Sequence, residues 1–247
     1  MSVSINTVYQ RVLGILNKEQ RGYVTPQEFN LFANQAQLDL FEQYFYDINQ
    51  FGRLPGNSTE YSDMLDILNK KISPFEATES LTYTGSGGTP ANVFPLPSTL
   101  YRVGTVIYSN TVTDKFGVSK TSQIEAERIN KNEIIYINLS PLTKPKNTRP
   151  IYTQDANGIK VYGDSEIQDN VSLNFIKKPA VAKWGYRTVF GKAVYDPALT
   201  TDFELDASEE TELVIKILEL SGILIKDLSI YQVMDKEEQE TIQQEKS

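Results

Sequence analysis

Apolar residues recur with a helical period at both ends of the chain and with a two-residue period through its middle. Val8, Val12 and Leu16, with Ile5 and Ile15 beside them, predict a short helix over residues 4–16. After a loop at 17–24, residues 26–49 form the longest predicted helix. Phe29, Phe32, Ala33, Ala36, Leu40, Phe41, Tyr44, Phe45 and Ile48 share its wide apolar stripe. One short neighbouring helix would not cover that stripe, so it is expected to meet the other helices and a partner subunit, with a purely internal role equally open. The start of this helix is specified locally. Thr25 suits the N-cap, Pro26 the first turn, Glu28 completes a capping box, and Val24 with Phe29 fits a hydrophobic staple.

The breaker cluster Phe51-Gly-Arg-Leu-Pro-Gly-Asn-Ser-Thr follows, and Tyr61, Leu65, Leu68 and Ile72 predict a third helix stopped by Ser73-Pro74. From Glu79 the period changes to two. Strands are expected at 92–96, 101–109, 134–139, 151–154, 159–162 and 171–176, with Asn157-Gly158 as a hairpin signal between two of them. Residues 122–130 carry good helix formers and predict a short helix, with a charged loop as the alternative. A second capping box, Asp206-Ala-Ser-Glu209, opens a helix bearing Leu213, Ile217 and Leu220. Gly222 is expected to interrupt it before a last segment through Leu228, Tyr231 and Ile242.

The expected fold class is therefore α+β. An N-terminal helical unit (1–78) and C-terminal helices with an acidic tail (206–247) flank a central antiparallel β-rich region (79–205), sandwich or barrel-like. At 247 residues, with 40% apolar and 23% charged positions, the chain has material for a sizeable core, and no apolar run reaches the roughly 20 residues of a membrane-spanning helix. The first residues lack a secretory signal pattern, so folding in a cytoplasm is expected.

Composition narrows the chemistry. The chain has no cysteine and no histidine, which removes thiolate nucleophiles, disulfides, the commonest general base and the commonest metal ligand. Paired carboxylates and all-oxygen cation sites remain open. Net charge is −8, distributed as −2 over residues 1–73, +3 over 74–199 and −9 over 200–247. Clustered Lys and Arg, which hold DNA by counterion release, are lacking. Asp202, Glu204, Asp206, Glu209, Glu210 and Glu212 lack the calcium-loop spacing and glycine, and acids are favoured at a helix start by the macrodipole. Lys177-Lys-Pro179 with Trp184 and Tyr186 combines cations and aromatics that can stack a nucleic acid or glycan; a packed Trp anchor or a subunit contact is the favoured reading. Gly85-Ser-Gly-Gly88 lacks the Lys-Ser/Thr of a phosphate cradle and reads as a hairpin loop. The polar tail at 235–247 is either a frayed end or a segment ordered by a partner.

The run Asn17-Lys-Glu-Gln-Arg-Gly-Tyr-Val-Thr-Pro-Gln-Glu-Phe-Asn-Leu31, followed by Ala33-Asn-Gln-Ala-Gln37, resembles the opening of virion structural proteins in crAss-like and related short-tailed phages. Matches continue in order through residues 138–145, Pro150-Ile-Tyr152, Phe175-Ile-Lys-Lys-Pro179, Trp184-Gly-Tyr186, Asp202-Phe-Glu-Leu205 and the acidic helix to Gly222-Ile. The resemblance implies a non-enzymatic head–tail connector or tail-ring protein without cofactor or metal. It would form a homo-oligomeric ring, typically twelvefold, in the virion, after assembly in the bacterial host cytoplasm. Its partners would be the portal protein, neighbouring ring or tail proteins, and genomic DNA passing without specific binding; no membrane insertion is implied. The expected subunit contacts are Phe29, Phe32, Leu40, Phe41, Phe45, Trp184, Tyr186, Leu213, Ile217, Leu220, Leu224 and Tyr231. A tail-tip or fibre-attachment protein that binds other tail proteins or a glycan is the alternative, and a carboxylate-dependent glycoside hydrolase a more distant one.

Overall fold

The computed structural model describes residues 2–18, 24–51, 64–113, 115–225 and 236. In chain order its elements are α1 (Ile5–Lys18), α2 (Pro26–Phe51), α3 (Met64–Ile72), β1 (Glu76–Leu81), β2 (Leu100–Thr113), β3 (Ser119–Glu125) and β4 (Glu127–Arg128). Then come α4 (Ile134–Leu139), β5 (Ile151–Asp155), β6 (Gly158–Tyr162), β7 (Glu166–Ile167), β8 (Val171–Lys177), β9 (Tyr186–Val189), β10 (Lys192–Tyr195) and α5 (Glu210–Ile225). The fold is α+β. The chain divides into two units, one formed by Met1–Pro74 with Pro179–Ser247 and the other by Phe75–Lys178. Among the described residues no helix is long and apolar enough to cross a membrane.

In the first unit α2 packs against α3 and α5, and α5 also packs against α1. The capping box at the start of α2 forms as read: the Thr25 N–H donates to Glu28 Oε2 at 2.8 Å and the Glu28 N–H to Thr25 Oγ1 at 3.3 Å. These bonds to the charged form hold the Glu28 carboxyl below its ordinary range, the Thr25 hydroxyl contributing most and the Thr25 backbone next. At α1 the cap comes from far along the chain, because Asp202 Oδ1 accepts from the Ile5 N–H at 2.9 Å.

The second box has a different outcome. Asp206 caps a short 3-10 turn (Ala207–Glu209) by accepting from the Ser208 N–H, which holds its carboxyl below the usual range. Glu209 turns inward to Lys71, 2.8 Å away, tying the end of α3 to the start of α5. Helix α5 then runs unbroken through Gly222, against the expected interruption. A glycine costs a helix about 1 kcal/mol relative to alanine, and the packing of Leu213, Val214, Ile217 and Leu218 outweighs that. The segment with Leu228, Tyr231 and Ile242 lies outside the described residues, as does Tyr61 before α3.

The second unit is sandwich-like. An antiparallel sheet of order β1-β8-β2-β3 and a second sheet of order β4-β5-β6-β7 enclose one core. Leu81, Val106, Leu173 and Phe175 come from the first sheet, Tyr152, Ile159, Val161 and Ile167 from the second, and Phe94 lies with them. The short β4–β5 pairing is parallel.

Four local expectations differ from the structure. Residues 122–125 and 127–128, within the stretch expected as a helix or charged loop, lie in β3 and β4, because the ladder from Thr113↔Ser119 to Ile107↔Glu125 overrides local helix propensity, which is a weak prior against tertiary pairing. Ala126, buried between the two strands, marks the change of sheet. Residues 134–139 form helix α4 instead of a strand. Local bonds such as Ile137 N–H to Glu133 O at 3.1 Å satisfy their backbone. Residues 92–96 contribute only isolated bridges, Thr84↔Val93 and Phe94↔Ile159. The β5–β6 turn is centred one residue earlier than Asn157-Gly158. Its Asp155 carboxylate accepts from the Asn157 N–H, and Gly158 takes the first position of β6 at φ 150°.

Candidate functional site: an amide-clamped hairpin and exposed apolar tips

Three amide side chains on one face of α2 hold an extended segment of the same unit. Asn30 Oδ1 accepts from the Trp184 N–H at 2.7 Å, and Asn30 Nδ2 donates to the Trp184 carbonyl at 3.3 Å. Asn34 repeats the pattern on Ala182, at 2.9 and 2.8 Å. Gln37 Nε2 donates to the Ala180 carbonyl at 2.8 Å, and its Oε1 accepts from the Glu204 N–H at 3.3 Å. Spacings of four and three residues advance a helix by about 6 and 4.5 Å, against roughly 6.6 Å between alternate residues of an extended strand; the first step nearly matches, and at the second the Gln37 side chain is one methylene longer than Asn. The helix thus replaces a neighbouring strand, pairing backbone groups that would be costly to bury unpaired.

This clamp sets the base of the β9–β10 hairpin. Trp184 is 3% exposed, and its indole N–H donates to Asn6 Oδ1 on α1 at 3.1 Å. Its ring lies 4.2 Å from Tyr9, which meets Phe29 edge-on at 4.7 Å, and stacks on Tyr186 and Tyr195 at 5.8 and 5.7 Å. Gly185 is obligatory, since a Cβ there would overlap the Leu199 backbone. Arg187 pairs with Asp196 across the hairpin base. Beyond this base β9 and β10, among the described residues, pair only with each other, and both are exposed apart from half-buried Tyr186.

The hairpin tip is unusual. Phe190 and Gly191 both lie at positive φ, 49° and 76°, as a two-residue hairpin turn requires, and Phe190 is fully exposed. A bulky side chain in the left-handed region is a genuine outlier, costing on the order of 1–2 kcal/mol, and such strain persists only where the surrounding structure enforces it.

The second unit carries a comparable tip. Strand β2 runs past the end of β8, so that its rungs from Asn110↔Ser122 to Thr113↔Ser119 form a two-stranded arm. Phe116 and Val118 at its turn are 88% and 65% exposed. Helix α4 in the same unit exposes Ile135, Tyr136 and Leu139, with Leu142 just beyond.

The residues expected at subunit contacts lie mostly inside the subunit. Phe29, Leu40, Phe41, Trp184, Leu213 and Ile217 are buried, while Phe32, Phe45, Tyr186 and Leu220 are half-buried. The structure brings Phe29 and Trp184 together through Tyr9, and Phe41 and Phe45 edge-on at 5.0 Å. Leu224 falls within α5, but its side chain and all of Tyr231 lie outside the described residues. On α2 the exposed apolar residues are Leu31, Leu38 and Tyr46.

The acids at 202–210 have separate structural partners. Asp202 caps α1, Glu204 accepts from the Ala180 N–H, Asp206 caps its 3-10 turn, Glu209 pairs with Lys71, and Glu210 pairs with Arg11 at 3.1 Å. Gly85-Ser-Gly-Gly88 closes a turn between the Thr84 and Val93 bridge, with the Gly88 N–H donating to the Gly85 carbonyl. Burial of Trp184 on Tyr9, Tyr186 and Tyr195 leaves its ring no free face for a base or sugar. What the described surface offers is apolar side chains on projecting, backbone-paired elements. No protein-family model matches the chain, and a search of curated proteins finds no match.

Proposed function

We propose that this protein is a non-enzymatic structural subunit of a phage particle, a head–tail connector or tail-ring protein that assembles into a closed ring joining portal to tail around the DNA passage. The observation that carries this reading is Phe190, a fully exposed aromatic held at positive φ on a hairpin whose base is fixed by the Asn30, Asn34 and Gln37 clamp. Aromatic side chains presented on rigid supports are what recurring protein contacts use as anchors. A ring of identical subunits requires two different patches on each copy that meet at every interface, and exposed tips on separate units supply different patches. The resemblance to short-tailed phage virion proteins fits the same reading, and the clamp residues Asn30, Asn34 and Gln37 fall within its motifs.

Electron cryomicroscopy of purified particles containing the protein, with symmetry tested independently, decides the matter. A closed ring at the portal–tail junction, with the β9–β10 hairpin seated on a neighbouring chain, is expected. Density only on peripheral fibres would replace the ring with a fibre-attachment role, and absence from particles would refute both.

A further inference from the structure

We infer that α4 and the residues after it receive the C-terminal segment 226–247 of a second copy of this chain. The inference rests on the ring reading, and it starts from a local inconsistency. Helix α4 is six residues long, has no side-chain cap and buries no residue. Its Ile-Ile-Tyr-Ile run prefers strand, and an isolated helix of this length is not self-supporting in water. Ile134 and Ile137 are half-buried, yet the outward face is also apolar: Ile135, Tyr136, Leu139 and Leu142 are 64–88% exposed. A sequence that conflicts with its local structure and presents apolar groups outward is accounted for by a partner that covers it.

Charge identifies the occupant. Residues 126–150 carry five Lys or Arg against two Glu. Arg149 and Lys131 pair within the unit, with Glu127 and Asp155, whereas Lys144 and Lys146 make no ion pair among the described residues. The complementary surface is therefore apolar with an acidic flank. Residues 226–247 have that order: Leu228, Ile230, Tyr231, Val233 and Met234, then Asp235, Glu237, Glu238 and Glu240, with three Lys against six acids overall. The other acidic stretch, 202–210, is occupied by the caps and ion pairs already described. Placing the segment on a second copy makes a heterologous contact that repeats from subunit to subunit, as a closed ring requires.

The test uses the full-length protein carrying a photoreactive phenylalanine analogue at position 136, mixed with a size-tagged copy lacking it. Crosslinks are expected between position 136 of one copy and residues 226–247 of the other. In parallel, Lys144→Glu with Lys146→Glu is expected to weaken self-association at least tenfold by sedimentation, and Glu237→Lys with Glu238→Lys to restore it. Crosslinks confined to one chain, crosslinks to another segment, no crosslinks, or no rescue by the reversed pair would each overturn the inference. A ring seen in particles without these crosslinks would refute this contact and leave the ring reading standing.

Discussion

Asn30 holds both backbone polar groups of Trp184, accepting from its N–H at 2.7 Å and donating to its carbonyl at 3.3 Å. The amide offers its acceptor and its donor on two neighbouring atoms, matching the N–H and C=O of one residue. Asn30→Ala would leave two largely buried backbone groups unpaired, at about 1–3 kcal/mol each, so a loss of about 2–6 kcal/mol is expected in urea denaturation. Asn30→Asp keeps the acceptor and loses the donor, and should fall between Ala and wild type. Equal losses for the two variants would show that the amide acts through packing alone.

Lys71 and Glu209 form the most buried ion pair described, with Glu209 3% exposed at its side chain. Removing one partner of a buried pair is far more damaging than replacing both. Lys71→Met should cost about 3–5 kcal/mol, and adding Glu209→Leu should recover most of it. Thermal unfolding of the two single variants and the double variant measures the coupling. Additive losses would contradict it.

Much of this architecture was legible in local sequence. Thr25 and Glu28 are three residues apart, so their box needs nothing from elsewhere, and the apolar period of α1, α2 and α5 reports burial directly. Residues 134–139 were not legible, because β-branched content signals a strand only where another strand is available to pair with. The clamp was equally hidden. Asn30, Asn34 and Gln37 look like ordinary polar residues on a helix face, and the segment they hold begins about 145 residues later. Their spacing of four and three residues was visible, but its use depends on where residues 180–184 run. The residues expected at subunit contacts are apolar, and apolar character marks the interior first. The exposed tips carry single aromatics, Phe116 and Phe190, with no periodic signal around them.

Burial pushes the Tyr44 phenol well above its ordinary range, and the negative charge of Glu209 beside it adds to the shift. A group whose folded pKa is raised contributes stability that is complete below the unfolded value, here 10.0, and is lost as pH rises through the folded value. The protein should therefore lose stability from about pH 10 upward, by up to about 1.4 kcal/mol per pH unit from this residue. Tyr152, raised chiefly by burial, acts in the same direction in the other unit. Tyr44→Phe should flatten the alkaline limb, because it removes the ionisable group. An unchanged alkaline limb in denaturant titrations between pH 9 and pH 11 would place the ionisation elsewhere.

Phe190 separates the stability of the subunit from its assembly. Asparagine tolerates positive φ far better than phenylalanine, so Phe190→Asn should stabilise the isolated chain by about 1 kcal/mol while removing an aromatic that is fully exposed among the described residues. If the side chain is kept for contact with another subunit, the same variant should weaken self-association, since truncating an interface aromatic commonly costs 2 kcal/mol or more. Opposite signs in thermal unfolding and in sedimentation are expected. Phe190→Leu keeps apolar character together with the backbone strain, and should show smaller changes in both. A variant that gains stability and assembles normally would mean that the strain at this tip serves something other than the subunit contact.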